Sequence, residues 1–161
     1  MMQTHSREVG RRQFMTTGGL LAIGATSAAS PALGTNPLRV FIDKFYEAWR
    51  RAEAEAVLAY FAEDAVVTLC GSGSTLVGKA LIASDWVVPT LKRSPGAIHE
   101  IKDAVETPER SWIEWLYKAL DTTTGDRIAL PGCSLYVVRD ELIRSGHLYF
   151  NPALARPPAK S

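Results

Sequence analysis

Ser111-Trp112-Ile113-Glu114-Trp115-Leu116-Tyr117-Lys118-Ala119-Leu120 alternates in character along its whole length. Read as a strand, it sets Ile113, Trp115, Tyr117 and Ala119 on one side and Trp112, Glu114, Leu116 and Lys118 on the other. The first set is expected to face an interior. The second, apolar with charges interleaved, suits an outer face. Stretches 97–105, 127–138 and 141–150 also read as strands, punctuated by Thr107-Pro108-Glu109, Thr122-Thr123-Thr124-Gly125-Asp126 and Arg139-Asp140. Connections this short join antiparallel neighbours, so the segment predicts a four-stranded meander.

Upstream of Pro95-Gly96 the period is helical. Asn36-Pro37 pairs a capping side chain with a proline suited to a first helical turn. Phe41, Phe45 and Trp49 then recur every four residues as an inward stripe, with Tyr46 expected to point away. A second short helix carries Val57, Leu58 and Phe61 and stops at Glu63-Asp64. Ala65 to Cys70 reads as a continuous apolar strand and Gly71-Ser72-Gly73-Ser74 as a loop. Gly78 opens a third helix with Leu81, Ile82 and Trp86 inward, which Pro89 kinks or ends. Helices segregated from an antiparallel meander predict an α+β fold, with the helices on one sheet face.

The N-terminus is organised differently. Arg11 and Arg12 lie in Gly10-Arg11-Arg12-Gln13-Phe14-Met15, a paired-arginine motif. A mild apolar run from Gly18 to Ala25 follows, too short for a membrane span, and then small residues to Ala32 that suit cleavage. This order predicts a cleaved twin-arginine export signal over 1–32, a domain over 33–152 and a Pro-rich tail over 153–161. Such export implies a periplasmic or extracellular location. Without the signal's three arginines and Glu8, the remainder carries 15 basic and 16 acidic residues. That balance argues against nucleic acid or a membrane surface as partners.

Motifs for cofactors are missing. The chain has no Gly-rich phosphate loop after a strand, no Cys-x-x-Cys and no His-Glu-x-x-His, so neither cofactor nor metal is expected. Cys70 and Cys133 allow one disulfide in an oxidising compartment, although their apolar settings favour buried free thiols.

The succession helix, helix, strand, helix, four strands resembles the nuclear transport factor 2-like fold in its SnoaL-like branch. The resemblance is carried by Phe45-Tyr46-Glu47-Ala48-Trp49, Tyr60-Phe61-Ala62-Glu63-Asp64-Ala65-Val66-Val67, Val77-Gly78-Lys79-Ala80 and Gly146-His147-Leu148-Tyr149-Phe150-Asn151-Pro152. It implies a curved sheet wrapped round N-terminal helices to form a conical pocket, an α+β barrel, in a homodimer. The chemistry of ketosteroid isomerases, which resemble this chain, would put a base at about Leu69, a second acid near Cys133 and an oxyanion-binding tyrosine at Phe45. Epoxide hydrolases of the same resemblance would put polar residues at Val67, Leu69, Trp115, Tyr117 and Leu148. The residues present reproduce neither set.

An apolar pocket is therefore expected, bounded by Phe45, Trp49, Leu69, Trp86, Trp115, Tyr117, Cys133 and Leu148. Asp85, His99 and His147 are the candidates for acid or base chemistry. Each has a simpler reading: Asp85 on a solvated helix face, His99 as a structural or surface residue sharing a face with Ile101 and Val105, and His147 on the dimer side. Three functions stay open. They are an exported binder of a small apolar molecule, a cofactor-independent cyclase, isomerase or hydro-lyase, and a dimerisation or assembly module. A buried ionisable group in the cavity favours the enzyme, an all-apolar pocket the binder, and a filled core the assembly module.

Overall fold

The computed structural model describes residues 37–155. The paired arginines and the residues after Ala155 lie outside them. Four strands follow the predicted meander closely: β3 (Ile98–Glu106), β4 (Arg110–Leu120), β5 (Arg127–Arg139) and β6 (Leu142–Phe150). They pair antiparallel in sequence order. A two-residue turn, Asp140 and Glu141 with φ of 54° and 59°, closes β5 onto β6, as a tight right-twisted hairpin requires. Pro131 is tolerated within β5 because β6 extends only to the residue paired with Gly132.

Two strands complete the sheet. β1 (Phe61–Leu69) begins where the second helix was expected to continue; that helix, α2 (Ala54–Leu58), is shorter than expected. β1 runs parallel to β6, and its other edge pairs antiparallel with β2 (Ser74–Val77), a strand not expected from the sequence, where only 71–74 reads as a loop. The order across the curved sheet is β2-β1-β6-β5-β4-β3. β2 escaped notice because Ser74 and Thr75 are polar and exposed, as an edge strand allows.

The helices pack on one face. α1 (Pro37–Arg50) buries Leu38, Ile42, Phe45, Tyr46, Ala48 and Trp49. The inward stripe is thus broader than the four-residue repeat implied. Tyr46 belongs to it, whereas Phe41 is only half-buried. The third helix does not stop at Pro89. Short α3 (Lys79–Ile82) widens into a π turn over Ala83–Val87 and resumes as α4 (Val88–Arg93). Proline supplies no N–H and crowds the preceding turn, and the wider turn accommodates it. Ile82 is buried, Trp86 half-buried and Leu81 exposed.

α4 is tied down at its C-terminal end. The Thr122 hydroxyl donates to the carbonyls of Lys92 and Arg93, two groups that lack partners within the helix. Arg93 reaches Asp121 at 2.6 Å, and the Asp121 carboxylate also accepts the backbone N–H groups of Thr123 and Thr124. The Arg93 guanidinium, then the Thr123 amide, hold that carboxyl below its ordinary range. The β4–β5 turn therefore fixes the helix that stands over the open end of the sheet.

Candidate functional site: an aromatic cavity

Between the helices and the concave face of the sheet lies a cavity of about 360 Å³. This is within the range of small-molecule sites. α1 supplies Trp49, the π turn Asp85 and Trp86, and α4 Thr90 and Arg93. The sheet supplies Leu69, His99, Trp115, Tyr117, Ile128, Leu130, Leu148 and Phe150. Trp49 and Trp86 pack at 5.2 Å between ring centroids. Asp85 and Arg93 are exposed, so the charges sit at the mouth, and the depth is mainly apolar and aromatic, with buried Ser94 and the His99 ring among its polar groups. Two other grooves, of about 650 and 390 Å³, lie along the outer side of α1 and are edged by charged residues such as Lys44, Arg51 and Glu141.

His99 stands in the wall, directly paired across strands with Tyr117. Four rings enclose it, with centroids at 4.6 Å (Tyr46), 5.0 Å (Tyr117), 5.7 Å (Trp115) and 5.9 Å (Trp49). Its Nδ1 is buried without a hydrogen-bond partner. Burial among uncharged rings disfavours the imidazolium and pushes the pKa down to about 3.

This shift has a measurable consequence, with a definite sign. His99 stays neutral in the fold while the unfolded chain takes up a proton below about pH 6.5, so its stabilising effect is present above that value. It is lost as pH falls from about 6.5 towards 3, by up to about 1.4 kcal/mol per unit. His99→Phe is expected to lose about 2 kcal/mol less than wild type between about pH 7.5 and pH 5 in urea unfolding. Equal losses in the two proteins would mean that His99 is protonated in the fold.

Beneath the wall is a buried polar bed. Trp115 Nε1 donates to Ser134 Oγ at 2.8 Å, which holds the indole in place. The Tyr46 and Tyr136 hydroxyls lie beside Ser134, although Tyr46 Oη completes no hydrogen bond of full geometry. Burial raises the pKa of both phenols.

The family model described as a SnoaL-like domain matches residues 42–146, most of the described chain. The chain belongs to the SnoaL-like domain family. No curated protein matches it. Among solved structures it is similar to a Catenulispora acidiphila protein of ketosteroid isomerase-like fold, solved with trimethylamine. That pair shares 22% identity, covers 71% of this chain and 88% of the other, and has a TM-score of 0.64. A candidate polyketide cyclase from Xanthomonas campestris shares 27% identity over 71% of this chain and 90% of its own, with a TM-score of 0.58. An epoxide hydrolase of M. tuberculosis shares 18% identity over 72% and 84%, with a TM-score of 0.61. These likenesses agree with the mixed α+β fold and its curved, unclosed sheet.

In this SnoaL-like domain, Trp49, Leu69, Trp86, Trp115, Tyr117 and Leu148 meet at the cavity. Two of the residues expected there do not. Phe45 is fully buried behind the wall, in a cluster with Trp49, Tyr60, Phe61 and Tyr136. Cys133 points to the outer face opposite Glu114 and Tyr149, because strand alternation turns Gly132 and Ser134 inward. The thiols of Cys70 and Cys133 are free. β6 lies between their strands, which puts the backbones about 10 Å apart, too far for an intrachain bridge. Asp85 reaches only the mouth, and His147 stacks on Tyr149 on the outer face.

Of the three acid or base candidates, His99 is the one in the cavity wall, but it does not share a face with Val105 as expected. A bulge at Lys102 shifts the β3–β4 register between Ile101 and Asp103. His99 and Ile101 therefore turn inward while Val105 is 62% exposed.

Proposed function

We propose that this SnoaL-like domain is exported and holds a small, flat apolar molecule in its cavity. The observation that carries the reading is the wall itself: mainly aromatic and aliphatic in depth, charged only at the mouth, and open rather than filled. Burial of apolar ligand surface contributes about 25 cal/mol per Å². Micromolar binding therefore needs no charged contact. Three of the chain's four tryptophans, Trp49, Trp86 and Trp115, line the cavity, so their fluorescence reports occupancy directly. Titration with steroid-like, terpenoid and aromatic compounds is expected to give saturable quenching at micromolar concentration. A signal that no apolar compound perturbs would sink the reading.

A cofactor-independent cyclase, isomerase or hydro-lyase working on the same class of molecule is the second reading. It is supported by an imidazole in the wall and by the likeness to the Xanthomonas protein. His99 is the buried ionisable group that counts for an enzyme, but with its pKa held near 3 it is a weak base at neutral pH, so the binder remains better supported.

Export rests on Arg11 and Arg12. Lysine keeps the charge of arginine but lacks its planar fork. Replacing both arginines by lysine is expected to leave the precursor in the cytoplasm, and undiminished export would remove the claim. Pairing of two copies through the outer sheet face is supported by the exposure of Trp112, Val105 and Tyr149, at 44%, 62% and 43%. Sedimentation of the wild type at micromolar concentration decides between dimer and monomer.

A further inference from the structure

We propose that His99 presents Nε2–H to the cavity as an uncharged hydrogen-bond donor, so that the site selects flat apolar molecules carrying a neutral acceptor oxygen, such as aryl ketones or ethers. This rests on the binding reading above and adds the polar half of the recognition.

The tautomer follows from what surrounds each ring nitrogen. Nδ1 is enclosed and has no partner. A buried N–H without an acceptor is rarer and more costly than an unused lone pair, so the proton belongs on Nε2. Nε2 is not enclosed in this way, and the ring is part of the cavity wall. Packing against Tyr46, Trp49, Trp115 and Tyr117 fixes the imidazole's orientation before any ligand arrives.

Two of the neighbouring donors are committed elsewhere. Trp115 Nε1 is bonded to Ser134 and Arg93 is paired with Asp121, while Ser94 donates to the Tyr117 oxygen. The groups facing His99 are Tyr46 from α1 and Tyr117 from β4, both neutral through the physiological range because burial raises their pKa. Asp85 and the Arg93–Asp121 pair stay at the mouth. No carboxylate hydrogen-bonds to the imidazole among the described residues, and burial keeps it uncharged. An uncharged N–H in an apolar wall favours a neutral acceptor over an anion, whose desolvation it cannot offset.

Fluorene and fluorenone, nearly alike in shape and differing by a carbonyl oxygen, form the test pair. The wild type is expected to bind fluorenone about three- to tenfold more tightly, the range of one neutral hydrogen bond. His99→Phe keeps an aromatic wall and should erase that preference while still binding fluorene. The preference should be constant between about pH 5 and pH 8, since the imidazole does not titrate there. Nitrogen-15 spectra of the wild type should show the Nε2–H form, a readout that survives if the variant fails to fold. Equal affinities in the wild type, a preference that persists in the variant, or an Nδ1–H tautomer each overturns the proposal. If neither compound binds, the cavity-binding reading falls with it. Binding of fluorene with no preference for fluorenone overturns the donor role alone.

Discussion

Phe45→Ala is expected to remove about 3–5 kcal/mol of folding stability. Phe45 is fully buried, and its ring centroid lies 5.4–6.3 Å from those of Tyr46, Trp49, Tyr60, Phe61 and Tyr136. It therefore joins α1, β1 and β5 at one point. Truncation leaves a void that rigid rings on several elements cannot close together. Native domains are stable by only about 5–15 kcal/mol, so the loss should move the urea midpoint far to the left. Phe45→Leu, which keeps most of the volume, should cost much less. A change below about 1 kcal/mol for the alanine variant would show that the cluster is looser than the packing implies.

The second large effect is expected from adding one carbon atom. Gly132 faces Trp115 across the β4–β5 pair. A Cβ at 132 would lie 2.3 Å from Trp115 Cη2 and 2.7 Å from two other ring carbons. The indole has little freedom to retreat: it is 4% exposed and its Nε1 is bonded to Ser134. Gly132→Ala should cost about 1–3 kcal/mol through overpacking and displace a main wall of the cavity. Gly132→Val should cost more. Loss of ligand-induced quenching is expected in either variant, even at temperatures where the domain remains folded. Retention of both wild-type stability and quenching would mean that the indole is not seated on the glycine.

How well each part was legible depended on the range of the forces that place it. β4 was legible residue by residue because ten positions alternate without interruption, and Ile113, Trp115 and Tyr117 face inward as that alternation demands. β3 was legible as a strand but not by face. The bulge at Lys102 adds one residue and reverses every side chain beyond it, a choice made by pairing with β4 rather than by local pattern. The bulge thereby parts Val105 from the face it was expected to share with His99 and Ile101. Cys133 and Ser134 are small neighbours of similar character, and what separates them is the Trp115 indole on the next strand. Tyr46 was misplaced because a helix packed in a concave sheet buries a broad stripe, wider than one four-residue repeat. Parallel pairing of β1 with β6 leaves no local trace in either strand.

That parallel pairing also sets when the molecule can be finished. Val66, Val67, Thr68 and Leu69 meet Ser145, Gly146, His147 and Leu148, partners about eighty residues later in the chain. Until those later residues leave the ribosome, β1 has only the four-residue β2 beside it, and its other edge is open to any passing strand. Contacts this distant in sequence close slowly. A nascent chain interrupted before Leu142 holds an unfinished sheet, with the rings meant for its concave side exposed to solvent. The domain must therefore be synthesised through β6 before it folds, and the interval between is when it most needs protection from aggregation.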